Sequence, residues 1–222
     1  MPRVGLDVVF LDIGGVMYRD DGYREALRIA LRELGAQFAD EAFDREYEAA
    51  RAAQSGSFRT RLTGAFLGPE GDVDEVERHL ERWWRYREDD LEPDVRPALE
   101  ALEGRYRLGI IANQPSAVRE AMVRDGLDRL FEVWAVSADV GFDKPDPRLY
   151  EHALTQAGVE PSRAAMVGDR LDYDVRPARR SGMRAVWVLR GEAPDAPTPE
   201  QLAEADAAIG GLDELAPTLE RM

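Results

Sequence analysis

Short apolar runs rich in β-branched residues recur along this chain, and each stops at a polar side chain or a glycine. Val8-Val-Phe-Leu11 ends at Asp12, Leu108-Gly-Ile-Ile-Ala112 ends at Asn113, and Arg163–Val167 closes on Gly168-Asp169. Runs of this length are too short to span a membrane, and they lack the polar alternation of a strand with one wet face. Stretches with helical spacing lie between them. Strands of this kind, separated by helices, must pair side by side in parallel with both faces covered. The expected fold is therefore α/β, a doubly wound and mostly parallel sheet. Further strands are expected at 131–137 and 184–189, with a weak one at 207–209. In such a sheet the functional crevice lies beyond the carboxyl ends of the strands.

Residues 20–90 break this rhythm, because they contain no comparable apolar strand. Leu27, Ala30, Leu31 and Leu34 fall at helical spacing, and 41–53 and 73–87 also read as helices. The Gly/Ser/Pro-containing stretch 55–72 reads as the connection between them. The organisation implied is an α/β core made of 1–17 and 93–222, with an inserted helical unit over 18–92. In the core, helices are expected at 94–103, 115–125, 146–157 and 175–181, with a last one near 212–219.

Charge and composition narrow the function classes. The formal net charge is −15, which opposes non-specific binding to nucleic acid and to anionic membranes. With no cysteine and only His79 and His152, disulfides, thiol nucleophiles and His/Cys metal sites drop out. The apolar run Val8–Leu11 is too short for a signal segment, so a cytoplasmic location is expected. The aromatic content of the insert leaves room for a homodimer. One lysine, Lys144, stands among 29 Lys+Arg residues. Lysine is a compact point charge and arginine a broad planar fork. A site that must fit one cation close to a small anion can reject the fork.

Four polar features are expected at the crevice: Asp12-Ile-Gly-Gly-Val16, Ala112-Asn113-Gln114, Lys144-Pro145 and Gly168-Asp-Arg-Leu-Asp-Tyr-Asp174. In this order, with a helical insert after the first, they resemble the motifs of the haloacid dehalogenase superfamily over nearly the whole chain. The resemblance implies a phosphatase or related hydrolase with a small helical cap. A carboxylate can split ester hydrolysis into two steps through a covalent intermediate, and Asp12 suits that role. Carboxylate and phosphate repel, so positive charge is needed between them; Mg²⁺ is the usual solution. The resemblance implies Asp12, the Gly14 carbonyl and Asp169 as metal ligands, Lys144 as the catalytic cation, and Asn113 and Gly15 as phosphate contacts. Asp174 or Asp172 would support the metal-bound water or the lysine.

The chain departs from the family pattern twice. The carboxylate usually found two residues after the nucleophile is Gly14 here, and the usual Ser/Thr before Asn113 is Ala112. General acid–base catalysis contributes roughly 10²–10⁴-fold, so a weak or narrow phosphatase acting on a small phosphorylated metabolite is expected. Gln114 and Ser116 are candidates for the missing hydroxyl donor. Two other readings stay open: a metal-free 2-haloacid dehalogenase, whose halide needs no proton, and a regulatory module that binds phosphate without turnover. The aromatic residues Phe58, Phe66, Trp83 and Trp84 are expected in the core of the insert.

Overall fold

The computed structural model describes residues 5–222. Six strands, β1 (Val8–Leu11), β2 (Arg107–Ala112), β3 (Val133–Val136), β4 (Ala164–Gly168), β5 (Arg184–Val188) and β6 (Ala207–Ile209), form one parallel sheet. Their order is β3-β2-β1-β4-β5-β6. β1 is central, with Leu11 level with Ile110 on one side and Val167 on the other. Alternate residues of β1 feed two separate cores. Val9 and Leu11 join one with Val95, Leu99 and Met122. Val8 and Phe10 join the other with Leu149, Tyr150 and Trp187. Burial on both faces explains why these strands read as uninterrupted apolar runs.

The chain leaves the sheet after β1 and builds four helices, α1 (Asp21–Glu33), α2 (Asp40–Ala53), α3 (Phe58–Leu67) and α4 (Val73–Trp83). They bury a third apolar cluster of their own, including Leu27, Leu31, Phe43, Leu62, Val76 and Leu80. α3 was expected as a connection. It is a helix because the Ser57 hydroxyl caps it by accepting from the Thr60 N–H (3.3 Å), and because Phe58 and Leu62 are buried on one side. Gly64 and the flanking Gly56 and Gly68 hide that period in the sequence. Of the aromatic residues, Phe58 is buried, whereas Trp83 is 51% exposed and donates from Nε1 to Glu33 (3.0 Å). Trp83 is therefore a surface residue and not part of the core. His79 also bonds Glu33 (2.8 Å). Among the described residues, no helix is long and apolar enough to cross a membrane.

Candidate active site

The strand order reverses between β1 and β4, and the polar residues converge at that switch point. Asp12 extends β1 by one residue, its N–H bonded to the Val167 carbonyl (2.9 Å), so its side chain emerges at the carboxyl edge. Lys144 arrives from the loop after β3 and is 4% exposed. Its Nζ lies 2.9 Å from Asp12 Oδ2 and 2.7 Å from Asp174 Oδ1. Burial opposes the charge on Lys144, but the two carboxylates outweigh it and its pKa rises. Lys144 thus stands between two carboxylates at the strand ends.

Asp174 reaches the site through local backbone chemistry. After β4 the chain makes a π-helical turn over Leu171–Val175, in which the Asp174 and Val175 N–H groups both donate to the Arg170 carbonyl (2.9 and 3.1 Å). That wider turn brings the Asp174 carboxylate back over its own start, where Oδ2 accepts from the Arg170 N–H (3.0 Å). Gly168 makes room for it: a Cβ there would stand 2.2 Å from Asp174 Cγ. Asp172 goes elsewhere. It receives Arg170 Nε and Nη2 at 3.0 and 2.8 Å, because Arg170 is itself buried and needs a counter-charge. Asp174, and not Asp172, supports the lysine.

Two other expected contacts take different work. The Asn113 amide spans the Lys144 backbone, Nδ2 donating to the Lys144 carbonyl (3.0 Å) and Oδ1 accepting from its N–H (2.6 Å). Asn113 thus fixes the lysine loop, instead of reserving its amide for phosphate. The Gly15 N–H donates to the Tyr18 carbonyl (2.8 Å). What Gly15 supplies is absence: φ is +68°, and a Cβ would lie 2.1 Å from Asp169 Oδ2. Ser116 is spent on Asp139 (2.6 Å), while Gln114 lines the cleft and donates to the Tyr86 hydroxyl (2.9 Å).

Four residues escaped the sequence reading. Asp20 is the first carboxylate after Asp12, and it folds back over the space left by Gly14. A Cβ on Gly14 would be 2.8 Å from Asp20 Oδ1, 3.1 Å from the Tyr86 hydroxyl and 3.4 Å from Gln114 Nε2. Glu192, after β5, donates its N–H to Asp169 Oδ2 (2.6 Å). Arg170 joins Glu192 (3.0 Å) to the Gly56 carbonyl of the helical unit (2.8 Å) and stacks on Phe58. Gln54, with φ +47°, bridges the same gap: Nε2 donates to the Glu192 carbonyl and Oε1 accepts from the Leu171 N–H, both 2.8 Å. Of these, only Asp20, six residues beyond Gly14, carried a signal in the sequence.

The charges explain what the site can hold. Ligand oxygens of Asp12, Asp169 and Asp174 lie within 4.8 Å of one another. Burial pushes the Asp12 carboxyl up to about 6, with Lys144 opposing the shift and Asp174 adding to it. Asp169 and Asp20 rise well above the usual carboxylate range, first from burial and then from neighbouring carboxylates. Such crowding of hard oxygen donors suits a small divalent cation such as Mg²⁺, which would relieve both causes. Each of the three carboxylates already has partners: Asp12 and Asp174 both bond Lys144, and Asp169 Oδ2 accepts from the Glu192 N–H. A cleft of about 690 Å³ opens from this cluster towards the helical unit, a size suited to a small ligand.

Known proteins agree with this architecture. The family model of the haloacid dehalogenase-like hydrolases matches residues 6–182. A phosphoserine phosphatase of Thermus thermophilus is 38% identical over 190 residues, 84% of this chain and 73% of that protein. The structure of a HAD phosphatase from Thermococcus onnurineus superposes with a TM-score of 0.64 at 27% identity, covering 96% of this chain and 98% of that one. That of a predicted phosphoglycolate phosphatase from Haemophilus somnus reaches 0.77 at 18% identity, with 96% and 97% covered, a likeness that speaks to the fold alone. With a family match spanning most of the core and all of the insert, the chain belongs to the haloacid dehalogenase-like hydrolases.

Proposed function

We propose that this hydrolase cleaves phosphate monoesters of a small cytoplasmic metabolite through an aspartyl-phosphate on Asp12. The observation that carries this reading is Lys144, buried between Asp12 and Asp174 at the strand ends. The named phosphatases among its relatives support it. Asp12, ionised above about pH 6, supplies the carboxylate oxygen that attacks phosphorus. Lys144 offsets the meeting of two anions, and Asp174 and Asn113 hold it in place. Asp12, Asp169 and the Gly14 carbonyl would hold Mg²⁺, which would supply Lewis-acid stabilisation of the transferring group. The helical unit is the cap that excludes water from the cleft.

The proton comes from Asp20 in this reading. Its carboxyl stands where a side chain on Gly14 would be, and burial beside Glu192 and Asp12 favours its protonated form. As the ester P–O bond breaks and the Asp12 O–P bond forms, the Asp20 proton passes to the leaving oxygen. Water then attacks the phosphorus and gives a proton back to Asp20, releasing phosphate and free Asp12.

Steady-state hydrolysis of p-nitrophenyl phosphate with Mg²⁺ tests the reading. Asp12→Asn is expected to lower turnover on the order of 10⁴-fold. Asp20→Asn is expected to cost roughly 10²-fold on alkyl phosphates and much less on p-nitrophenyl phosphate, whose leaving group needs no proton. Undiminished activity in Asp12→Asn would sink the mechanism, and metal-free halide release from a 2-haloacid would favour the dehalogenase reading.

A further inference from the structure

Gln54 ends α2 at the border between the helical unit and the core. It is fully buried, and among the described residues it is the only non-glycine residue with a positive φ, +47°. Backbone of that kind persists only where the surroundings over-determine it. Here Nε2 donates to the Arg51 and Glu192 carbonyls, Oε1 accepts from the Leu171 N–H, and the Gln54 carbonyl accepts from Arg176 Nη1, all at 2.8 Å. Three of these partners belong to the core. Glycine would end α2 in the same conformation without strain. What glutamine adds is a pair of side-chain bonds that cross to the core.

The backbone of Glu192 faces two ways. Its carbonyl takes the Gln54 amide, and its N–H donates to Asp169 Oδ2 at 2.6 Å. The turn that carries it has no slack. A Cβ on Gly191 would stand 2.3 Å from Gly15 Cα and 2.6 Å from Asp169 Oδ2, so this backbone lies directly against the loop after β1 and the Asp169 carboxylate. In packing that tight, a shift at Glu192 is passed on to what it touches. Groups that hydrogen-bond a ligating carboxylate set its orientation. The donor to Asp169 is a backbone N–H, which no substitution at Glu192 short of proline removes. Gln54 is the side chain that grips the same residue from the helical unit. Resting on the Mg²⁺ reading of Asp169 above, we propose that Gln54 is a positioning residue of the reaction. It acts through the Glu192 backbone to orient the Asp169 carboxylate, so that the helical unit aligns a metal ligand without supplying one.

The test follows Mg²⁺ binding by calorimetry and, in the metal-free protein, amide hydrogen exchange over residues 190–193. Gln54→Met keeps the length of the side chain and removes both of its polar atoms. Arg176→Met loosens the same turn through the Gln54 carbonyl but leaves the bond to Glu192 in place. Gln54→Met is expected to weaken Mg²⁺ binding about tenfold and to speed exchange over 190–193, although that segment lies in the core. Arg176→Met is expected to leave both unchanged. Should Gln54→Met unfold, Gln54→Gly carries the test, since glycine relieves the positive φ while removing the same two bonds. Equal losses in the Gln54 and Arg176 variants would mean that the seam merely staples the helical unit to the core, and would overturn the positioning role. Undiminished Mg²⁺ affinity in Gln54→Met, or unaltered exchange over 190–193, would overturn it too. A wild-type protein that binds no Mg²⁺ would sink the metal reading by itself, and the metal-free exchange would still decide whether Gln54 holds Glu192.

Discussion

Lys144 and Arg32 are both cations paired with aspartate, yet one lies beneath the carboxyl edge of the sheet and the other on the surface of the helical unit. The Lys144 side chain is 2% exposed, with Asp12 and Asp174 at 2.9 and 2.7 Å. Arg32 meets Asp40 at 2.7 Å with 44% and 57% of the two side chains in solvent. The distances are alike and the consequences differ. In water the ions of a broken pair are resolvated; in the interior each is stranded. The helical unit repeats the exposed version in Arg24 and Arg28 with Asp44. Such pairs keep a surface soluble. The buried version fixes the geometry of three side chains brought from three separate strand ends.

The sharpest way to break this contrast is to remove one partner in each place. Lys144→Met leaves Asp12 and Asp174 facing each other without a cation, and the protein should lose about 3–5 kcal/mol in urea unfolding at pH 7.5. The loss should shrink towards pH 5, because Asp12 can take up a proton there. A loss below about 1 kcal/mol at pH 7.5 would mean that water already reaches the cluster.

A middle-sized effect follows from the raised Asp12 carboxyl. Its folded value of about 6 lies above the ordinary 3.8. The metal-free folded protein therefore holds this proton more tightly than the unfolded chain does. That contribution to stability is present below pH 3.8 and is lost as pH rises through about 6. A divalent cation competes with the same proton. The rise in Tm produced by Mg²⁺ should accordingly grow from pH 5 to pH 7.5, and apparent Mg²⁺ affinity should weaken by up to about tenfold per pH unit below 6. Differential scanning fluorimetry across this range checks it; a pH-independent shift would place the cation away from Asp12.

The smallest effect sharpens the comparison from the other side. Arg32→Ala removes an exposed pair and a stack over Phe38, and should cost less than about 1 kcal/mol. A loss as large as that of Lys144→Met would erase the distinction between the two regions.

The strands were legible because burial on both faces writes them as apolar runs, as in Val8–Leu11 and Leu108–Ala112. Asp12, Lys144 and Asp169 were legible because each interrupts or follows such a run. α3 was not, since its glycines disguise a helix that depends on the Ser57 cap and on burying Phe58 and Leu62. Asp172 and Asp174 were indistinguishable in the sequence, as both are carboxylates in one short segment. The π-helical turn separates them, sending one to Arg170 and the other to Lys144. Asn113 was placed at the site, but its amide turned out to hold the lysine loop.

The sequence by itself determined the parallel α/β core, the helical insert and the set of charged residues at the strand ends. These follow from local period and from the rule that a buried strand must end where a polar group appears. The tertiary structure decided which carboxylate fills the gap at Gly14, how Gln54 and Arg170 tie the helical unit to the core, and which charges share the cleft. Those outcomes depend on contacts between residues far apart in the chain, such as Gln54 with Leu171 and Arg170 with Gly56. Packing selects them, and no spacing within a single segment encodes it.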